Sequence, residues 1–166
     1  MTYSQETKRL WRRLAVIIVV GLLAAAALWV LFVRMREEGR LRRLAAANEQ
    51  EAVSVIDGIA AAQQLYREAR GGYGTFREMI EAGVYRAPLE GDVLVAQGYA
   101  FRLRITPPSE GRAPAFAVNA DPVRAGGPDA TGRRHFYAGS EVTGIRFNDE
   151  RPATAADPLL PRANTY

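Results

Sequence analysis

A charge-free run of twenty residues near the N-terminus restricts this chain more than any other feature. The run extends from Leu14 to Val33 and reads LAVIIVVGLLAAAALWVLFV. At a rise of 1.5 Å per residue, a helix of this length spans about 30 Å, the thickness of the hydrocarbon core of a bilayer. The sequence therefore predicts a transmembrane helix over residues 14–33.

A cleaved secretory signal is the alternative explanation of the same run. Basic residues precede it, and the alanines at 24–27 would suit a cleavage site of small residues. However, the apolar run continues through residues 29–33, where a mature secreted protein should become polar. We therefore expect an uncleaved anchor that follows a basic tail at residues 1–13.

The distribution of charge argues against nucleic acid as a partner. The whole chain carries a net charge of +4, but residues 1–43 hold nine Lys and Arg against three acids, whereas residues 44–166 hold thirteen Arg against fifteen acids. A nucleic-acid module should carry its basic patch on the folded domain. The positive charge instead flanks the apolar run, as expected beside lipid phosphates.

Amphipathic and basic residues mark both ends of the predicted span. Tryptophan rings favour the membrane interface, and arginines reach the phosphates beside it. The predicted membrane-interface residues are Trp11, Trp29, Arg12, Arg13, Arg34 and Arg36. Because four basic residues precede the span and five follow it, charge counting leaves the topology open.

The predicted span contains no group that would support chemistry within the membrane. It lacks acids, bases, histidine and amides, and so offers no proton relay and no ligand for a metal or pigment. Gly21 and Ala25 form a small-xxx-small pair, a pattern that lets another helix approach closely. Ordinary small residues facing lipid would give the same pattern, so both interpretations stay open.

Helical periodicity continues after the span. Between Leu41 and Tyr66, apolar residues recur at steps of three and four, which predicts a juxtamembrane and soluble helix over residues 34–70 with one apolar face. Thr75 and Glu78 form a capping-box pattern that predicts a short helix ending at Gly83. The glycine cluster before it is not a phosphate loop, because it follows a helix and lacks the Lys before Ser/Thr.

The period then changes to two, which is typical of strands. Alternation at 99–106 predicts a first strand, and residues 116–120, 133–138 and 144–148 predict three more, separated by turn residues. The expected fold class is α+β, with the long helix packed on an antiparallel sheet of three or four strands within a domain of residues 71–148. The proline-containing tail at 149–166 is expected to be extended, lying across its own domain or a partner.

Several segments, in the same order, resemble type IV pilins and the pseudopilins of type II secretion. The helix-and-loop stretch NEQEAVSVIDGIAAAQQLYREARGGYGTFREMIEAGVY at 48–85 is similar to that family, as are GYAFRL at 98–103 and FAVNADPV at 116–123. RRHFYAGSEVTGIRF at 133–147 and PATAADPLL at 152–160 extend the similarity. The resemblance implies a pilin-like fold whose domain lies outside the cytoplasm, and hence a cytoplasmic N-terminus.

The start of the span departs from the family pattern. Pilins carry a leader that is cut after a glycine, and a glutamate at the fifth mature position guides docking in the filament. In this chain TKRLWRR precedes the apolar run, and no acid lies near the start of the run. We therefore expect that a prepilin peptidase does not cut the chain and that it stays permanently anchored.

No catalytic, cofactor or metal site is predicted. His135, the only histidine, lies in a predicted strand with no Ser or acid at local spacing, so a structural or surface role is expected. The chain has no cysteine, and its paired acids fall in loops or point apart on a helix. Weak cation binding at Asp121 or Asp129 is the one metal hypothesis; a solvated turn is the default.

These observations predict a binding function. The first hypothesis is a non-catalytic accessory subunit of a larger bacterial membrane complex, whether respiratory, photosynthetic or secretory. It would sit in the inner membrane with a periplasmic domain, and its partners would be the lipid bilayer and other integral membrane proteins, with no small-molecule substrate. The alternative is a minor pseudopilin or pilus-assembly component. A membrane-tethered enzyme or sensor, which would need a polar pocket, is a third.

Overall fold

The computed structural model describes residues 3–161, except for the side chains of residues 3–10 and 12–17. The chain divides into two compact units, residues 1–40 and residues 41–166. Helix α1 (Tyr3–Arg70) contributes to both units. The predicted helices at 14–33 and 34–70 are thus parts of one helical element.

The second unit packs one face of its part of α1 against a sheet. Ala52, Ile56, Ile59 and Ala62 are almost fully buried, and their spacing of three and four residues is that of one helix face. Gln63 lies on the same face and is also buried. Its amide bonds both backbone groups of Gly74, donating to the carbonyl at 2.6 Å and accepting from the N–H at 3.0 Å, which ties the loop after α1 to the helix.

Helix α2 (Phe76–Glu81) begins with the predicted capping box. The Thr75 hydroxyl oxygen accepts from the Glu78 N–H, and the Glu78 carboxylate accepts from the Thr75 N–H at 2.7 Å. The backbone hydrogen bond from Thr75, followed by that from its hydroxyl, lowers the pKa of Glu78 below its usual value. The box satisfies two backbone donors that would otherwise lack partners.

Within residues 3–161, six strands form one antiparallel sheet in which neighbours in sequence are neighbours in space. The strands are β1 (Leu89–Glu90), β2 (Val93–Ala96), β3 (Tyr99–Thr106), β4 (Ala115–Pro122), β5 (His135–Gly139) and β6 (Arg146–Asn148). The α+β class and the antiparallel meander are therefore confirmed. The four predicted strands correspond to β3 to β6, with shifts of one or two residues at their ends.

The prediction of three or four strands was wrong, because it missed the hairpin formed by β1 and β2. A two-residue strand has no period, and Val93–Ala96 is a short continuous apolar run that gives no alternation. The hairpin between β2 and β3 turns on Gln97 and Gly98, whose φ angles of 49° and 74° are those of a type I′ turn. An Asn-Gly pair would have predicted that turn, whereas Gln-Gly is not a recognised signal for it.

The sheet face that packs on α1 carries the large side chains of the core. Tyr99 and Phe101 on β3 are fully buried, together with Val118 on β4 and Phe136 on β5. The rings of Tyr99 and Phe136 lie 5.8 Å apart, within the range of favourable aromatic pairs. Burial raises the pKa of Tyr99, whose hydroxyl donates to the carbonyl of Arg134 at 2.8 Å. The core is thus one layer between helix and sheet.

The tail was expected to lie either across its own domain or across a partner. Its described part, residues 149–161, lies across its own domain. The Phe147 N–H donates to the carbonyl of Pro158 and the Leu160 N–H to that of Ile145, so the segment covers the β6 edge. Asp157 accepts from Asn148, Thr154 and Arg151. Hydrogen bonds from Asn148 and then Thr154 hold the pKa of Asp157 well below its usual range.

Candidate membrane anchor and groove

The N-terminal part of α1 is the candidate anchor. The large apolar side chains described between Ile18 and Val33 are exposed, and the helix is long and apolar enough to cross a membrane. In water such a continuous apolar surface would favour aggregation, whereas in a bilayer it is solvated by lipid. The structure therefore agrees with the predicted span over the residues it describes.

The predicted interface residues occupy exposed positions on this helix where their side chains are described. Trp11 is 74% exposed and Trp29 is 68% exposed. Arg34 is exposed, and the Arg36 guanidinium lies 4.6 Å from the centre of the Phe32 ring, a cation–π contact at the polar end of the run. The side chains of Arg12 and Arg13 lie outside the described residues. Membrane contact for all six stays a prediction.

Gly21 and Ala25, the predicted helix-packing pair, are both exposed. A Cβ atom built on Gly21 would have no heavy atom within 4 Å apart from its own helix and chain neighbours. Within the described part of the chain, this surface is open to the backbone of another helix, which small residues permit. Whether a helix occupies it stays a prediction.

A groove in the second unit is the second candidate, and the sequence did not reveal it. Its volume is about 590 Å³, within the usual range for small-ligand sites. One wall is the start of the unit's helix, with Leu41, Arg42 and Ala45. The other wall is the loop between β4 and β5, and residues 149–150 after β6 complete the lining.

Hydrogen bonds to α1 hold the β4–β5 loop in place. The Asn48 amide donates to the carbonyl of Thr131 at 2.8 Å, and the Glu49 carboxylate accepts from the N–H groups of Arg133 and Arg134. The Thr131 hydroxyl donates to the carbonyl of Gly98 at 2.6 Å. Because helix and hairpin both bind this loop, the groove has a defined shape.

His135 lines the groove and pairs with Asp121 on the neighbouring strand. Its Nδ1 lies 2.7 Å from Asp121 Oδ1, and the other carboxylate oxygen accepts from Arg102 at 3.1 Å. The sequence holds no acid at local spacing from His135, and the structure brings Asp121 beside it from a distant position. Fourteen residues separate the pair in sequence, and the pairing of β4 with β5 brings them together. The histidine is 8% exposed.

The Asp121 contact leaves Nε2 of His135 for other partners. This nitrogen forms no hydrogen bond to a described protein atom. It is also not fully enclosed by the protein, so a ligand can reach it. A carboxylate on Nδ1 places the proton there and makes Nε2 of the neutral ring an acceptor. Among the residues that line the groove, Arg42 and Arg133 can donate hydrogen bonds and Asp149 and Glu150 can accept them, so the groove can bind a polar ligand.

The groove carries charges of both signs. Asp149 faces Arg133 at 3.5 Å and Arg134 at 3.6 Å, which balances it within the protein. Arg42 and Glu150 also line the groove, and neither forms an ion pair with another described residue. One unpaired positive and one unpaired negative side chain therefore face the same space.

The carboxylates of the cation hypothesis already contact basic side chains. Asp121 contacts His135 and Arg102, and Asp129 lies 3.7 Å from Arg124 Nε. Over the described residues, no group of three or more His, Cys, Asp or Glu side chains could hold a metal ion. Asp129 is exposed in the loop between β4 and β5, as expected for a solvated turn, whereas Asp121 lies in strand β4 with its side chain 16% exposed, so the solvated-turn expectation was wrong for Asp121.

Comparisons of the chain with models of protein families, with curated proteins and with solved structures found no match.

Proposed function

We propose that this chain is a non-catalytic, membrane-anchored, pilin-like accessory subunit that docks on a larger bacterial membrane complex. The observation that carries the proposal is the contrast between the exposed apolar helix at residues 18–33 and the packed α+β domain of residues 41–161. An apolar helix without a protein cover needs lipid or other membrane helices around it. A domain attached to such a helix is held at the membrane surface.

The architecture of the second unit supports the pilin-like part of the proposal. A helix covers one face of an antiparallel meander, as the sequence resemblance to pilins implies. This support concerns fold alone, since one fold can serve many functions.

A minor pseudopilin or pilus-assembly component is the second candidate, and the same helix-on-sheet packing favours it. Against it, no acid lies between Lys8 and Val33, the stretch where the family places its docking glutamate. A permanent anchor beside a membrane complex needs no such glutamate, which is why we place the accessory subunit first.

Extraction of native membranes with a mild detergent, followed by native gel separation, tests the proposal. The accessory-subunit function predicts migration at fixed stoichiometry with a large integral-membrane complex. Migration with components of a secretion pilus would favour the second candidate, and migration alone would contradict the first.

A matched pair of substitutions then tests the docking surface of the span. Gly21→Leu should release the chain from its complex, because the added side chain prevents close approach of another helix. Ala27→Leu, on a different face of the helix, should leave the complex intact. Equal retention of both variants would exclude the Gly21 and Ala25 surface as the contact.

The proposed topology places the N-terminus in the cytoplasm and the domain in the periplasm of the inner membrane. Because the chain has no cysteine, single cysteines introduced by Ser4→Cys and Thr143→Cys can be labelled without background. A membrane-impermeant maleimide added to intact spheroplasts should label the second variant alone. Labelling of the first variant alone would reverse the orientation.

A further inference from the structure

The groove in the second unit combines features that a lipid headgroup would use. Among the described residues, Arg42 and Glu150 have opposite charges and no ion-pair partner, and His135 Nε2 has no hydrogen-bond partner. Leu41, Ala45 and Pro128 supply apolar surface beside them. Such a lining suits a ligand that is zwitterionic at one end and apolar at the other.

The position of the groove along the chain favours a lipid over a soluble ligand. Leu41 follows Val33, the last residue of the apolar run, by eight positions in the chain. The polar headgroup layer of a bilayer begins where the hydrocarbon core ends and is several ångströms thick. In the sequence, the wall that contains Leu41 and Arg42 therefore follows closely after the predicted span.

We propose that this groove binds the headgroup of phosphatidylethanolamine. The phosphate lies against Arg42, and the primary ammonium lies against the carboxylate of Glu150, with His135 Nε2 as a further acceptor. The glycerol and the first methylenes contact Leu41 and Ala45. The charge pattern selects this lipid, because an anionic headgroup such as that of phosphatidylglycerol would leave Glu150 without a cation, and the methyl groups of choline would keep a carboxylate at a distance.

Native mass spectrometry of the delipidated full-length protein in detergent, with one lipid added at a time, measures the binding. We expect phosphatidylethanolamine to be retained at least ten times more than phosphatidylglycerol or phosphatidylcholine. Water-soluble glycerophosphoethanolamine at the same concentration should not displace it, because it lacks the apolar contacts. Equal retention of the three lipids, or displacement by the soluble headgroup, would overturn the proposal.

Charge-matched variants separate the groove from general attraction to lipid. Arg42→Gln and Glu150→Gln should each lower retention at least tenfold, whereas Arg43→Gln and Glu90→Gln, which remove the same charges outside the groove, should change it less than twofold. Both groove side chains are exposed, and an unchanged unfolding midpoint checks that the variants fold. Equal losses in Arg42→Gln and Arg43→Gln would contradict the site. Because this experiment uses the purified chain without a partner, its failure is distinct from failure of the proposed docking function.

Discussion

The two units of the chain treat apolar side chains in opposite ways. Between residues 18 and 33 the leucines, valines and Trp29 are exposed, whereas Phe101, Ile59 and Phe136 in the second unit are almost fully buried by protein. In the first unit the apolar residues surround the helix, and in the second they follow one face of it. The difference shows that the pattern of apolar residues, more than their number, decides whether protein or lipid covers them.

The largest expected effect tests the protein-covered side of this comparison. Phe101→Ala should lower the free energy of unfolding of the second unit by about 3–5 kcal/mol, because it opens a cavity at the centre of the core. Leu23→Ala, at an exposed position in the first unit, should leave that free energy unchanged. Urea unfolding of the full chain in detergent micelles, followed by near-ultraviolet circular dichroism, measures both. A similar loss in the two variants would contradict the division.

The next effect tests the lipid-covered side. Leu23→Arg places a charge near the middle of the predicted span, which costs about 3 kcal/mol for membrane insertion. The fraction of the chain that resists alkaline carbonate extraction should fall sharply. Leu44→Arg, exposed on the helix of the second unit, should not change that fraction. Full retention of Leu23→Arg would mean that residues 14–33 do not span the membrane.

Glycines in the two surroundings provide a smaller contrast. A Cβ on Gly139 would lie 2.5 Å from the backbone oxygen of Phe116, so Gly139→Ala should destabilise the sheet by about 1–3 kcal/mol. Gly58 lies in α1 with no heavy atom within 4 Å of such a Cβ, apart from its own helix and chain neighbours, and Gly58→Ala should stabilise the protein by about 0.5–1 kcal/mol. Thermal unfolding of both variants checks the signs, and destabilisation by Gly58→Ala would reveal a contact on that face.

The smallest effect is confined to the segment after β6. Since folding lowers the pKa of Asp157, its stabilisation is present above the usual aspartate pKa of about 3.9 and is lost as the pH falls towards the lower folded value. Hydrogen-exchange protection of the Thr154 N–H, which donates to this carboxylate at 2.7 Å, should therefore decrease below about pH 4. Asp157→Asn should abolish that pH dependence. An unchanged dependence in the variant would assign it to another group.

Much of the fold could be predicted from the sequence because its signals are local. The helix over 41–70, the capping box at Thr75 and the strand at 99–106 each depend on residues within a few turns or one strand of each other. Strands β1 and β2 were missed because two and four residues are too few to show a period. Their position instead depends on pairing with β3.

The candidate groove could not be predicted in the same way. The pairing of Asp121 with His135 follows from the register of β4 and β5, in which Ala120 lies opposite Phe136. Predicting that register requires the exact length of the intervening loop and the choice of which face is buried. Aligning the two predicted strands in the correct register is the one step from the sequence that could have placed Asp121 beside His135.

The sequence by itself determined the apolar span, the helix that follows it, the charge flanking the span and the α+β class, because these depend on composition and on periods within contiguous residues. Only the tertiary structure decided which distant groups meet: the Gln63 amide with the backbone of Gly74, Glu49 with the backbone at 133–134, and His135 with Asp121. Those contacts join residues far apart in the chain, and they form only when the sheet register and the packing on α1 are both established.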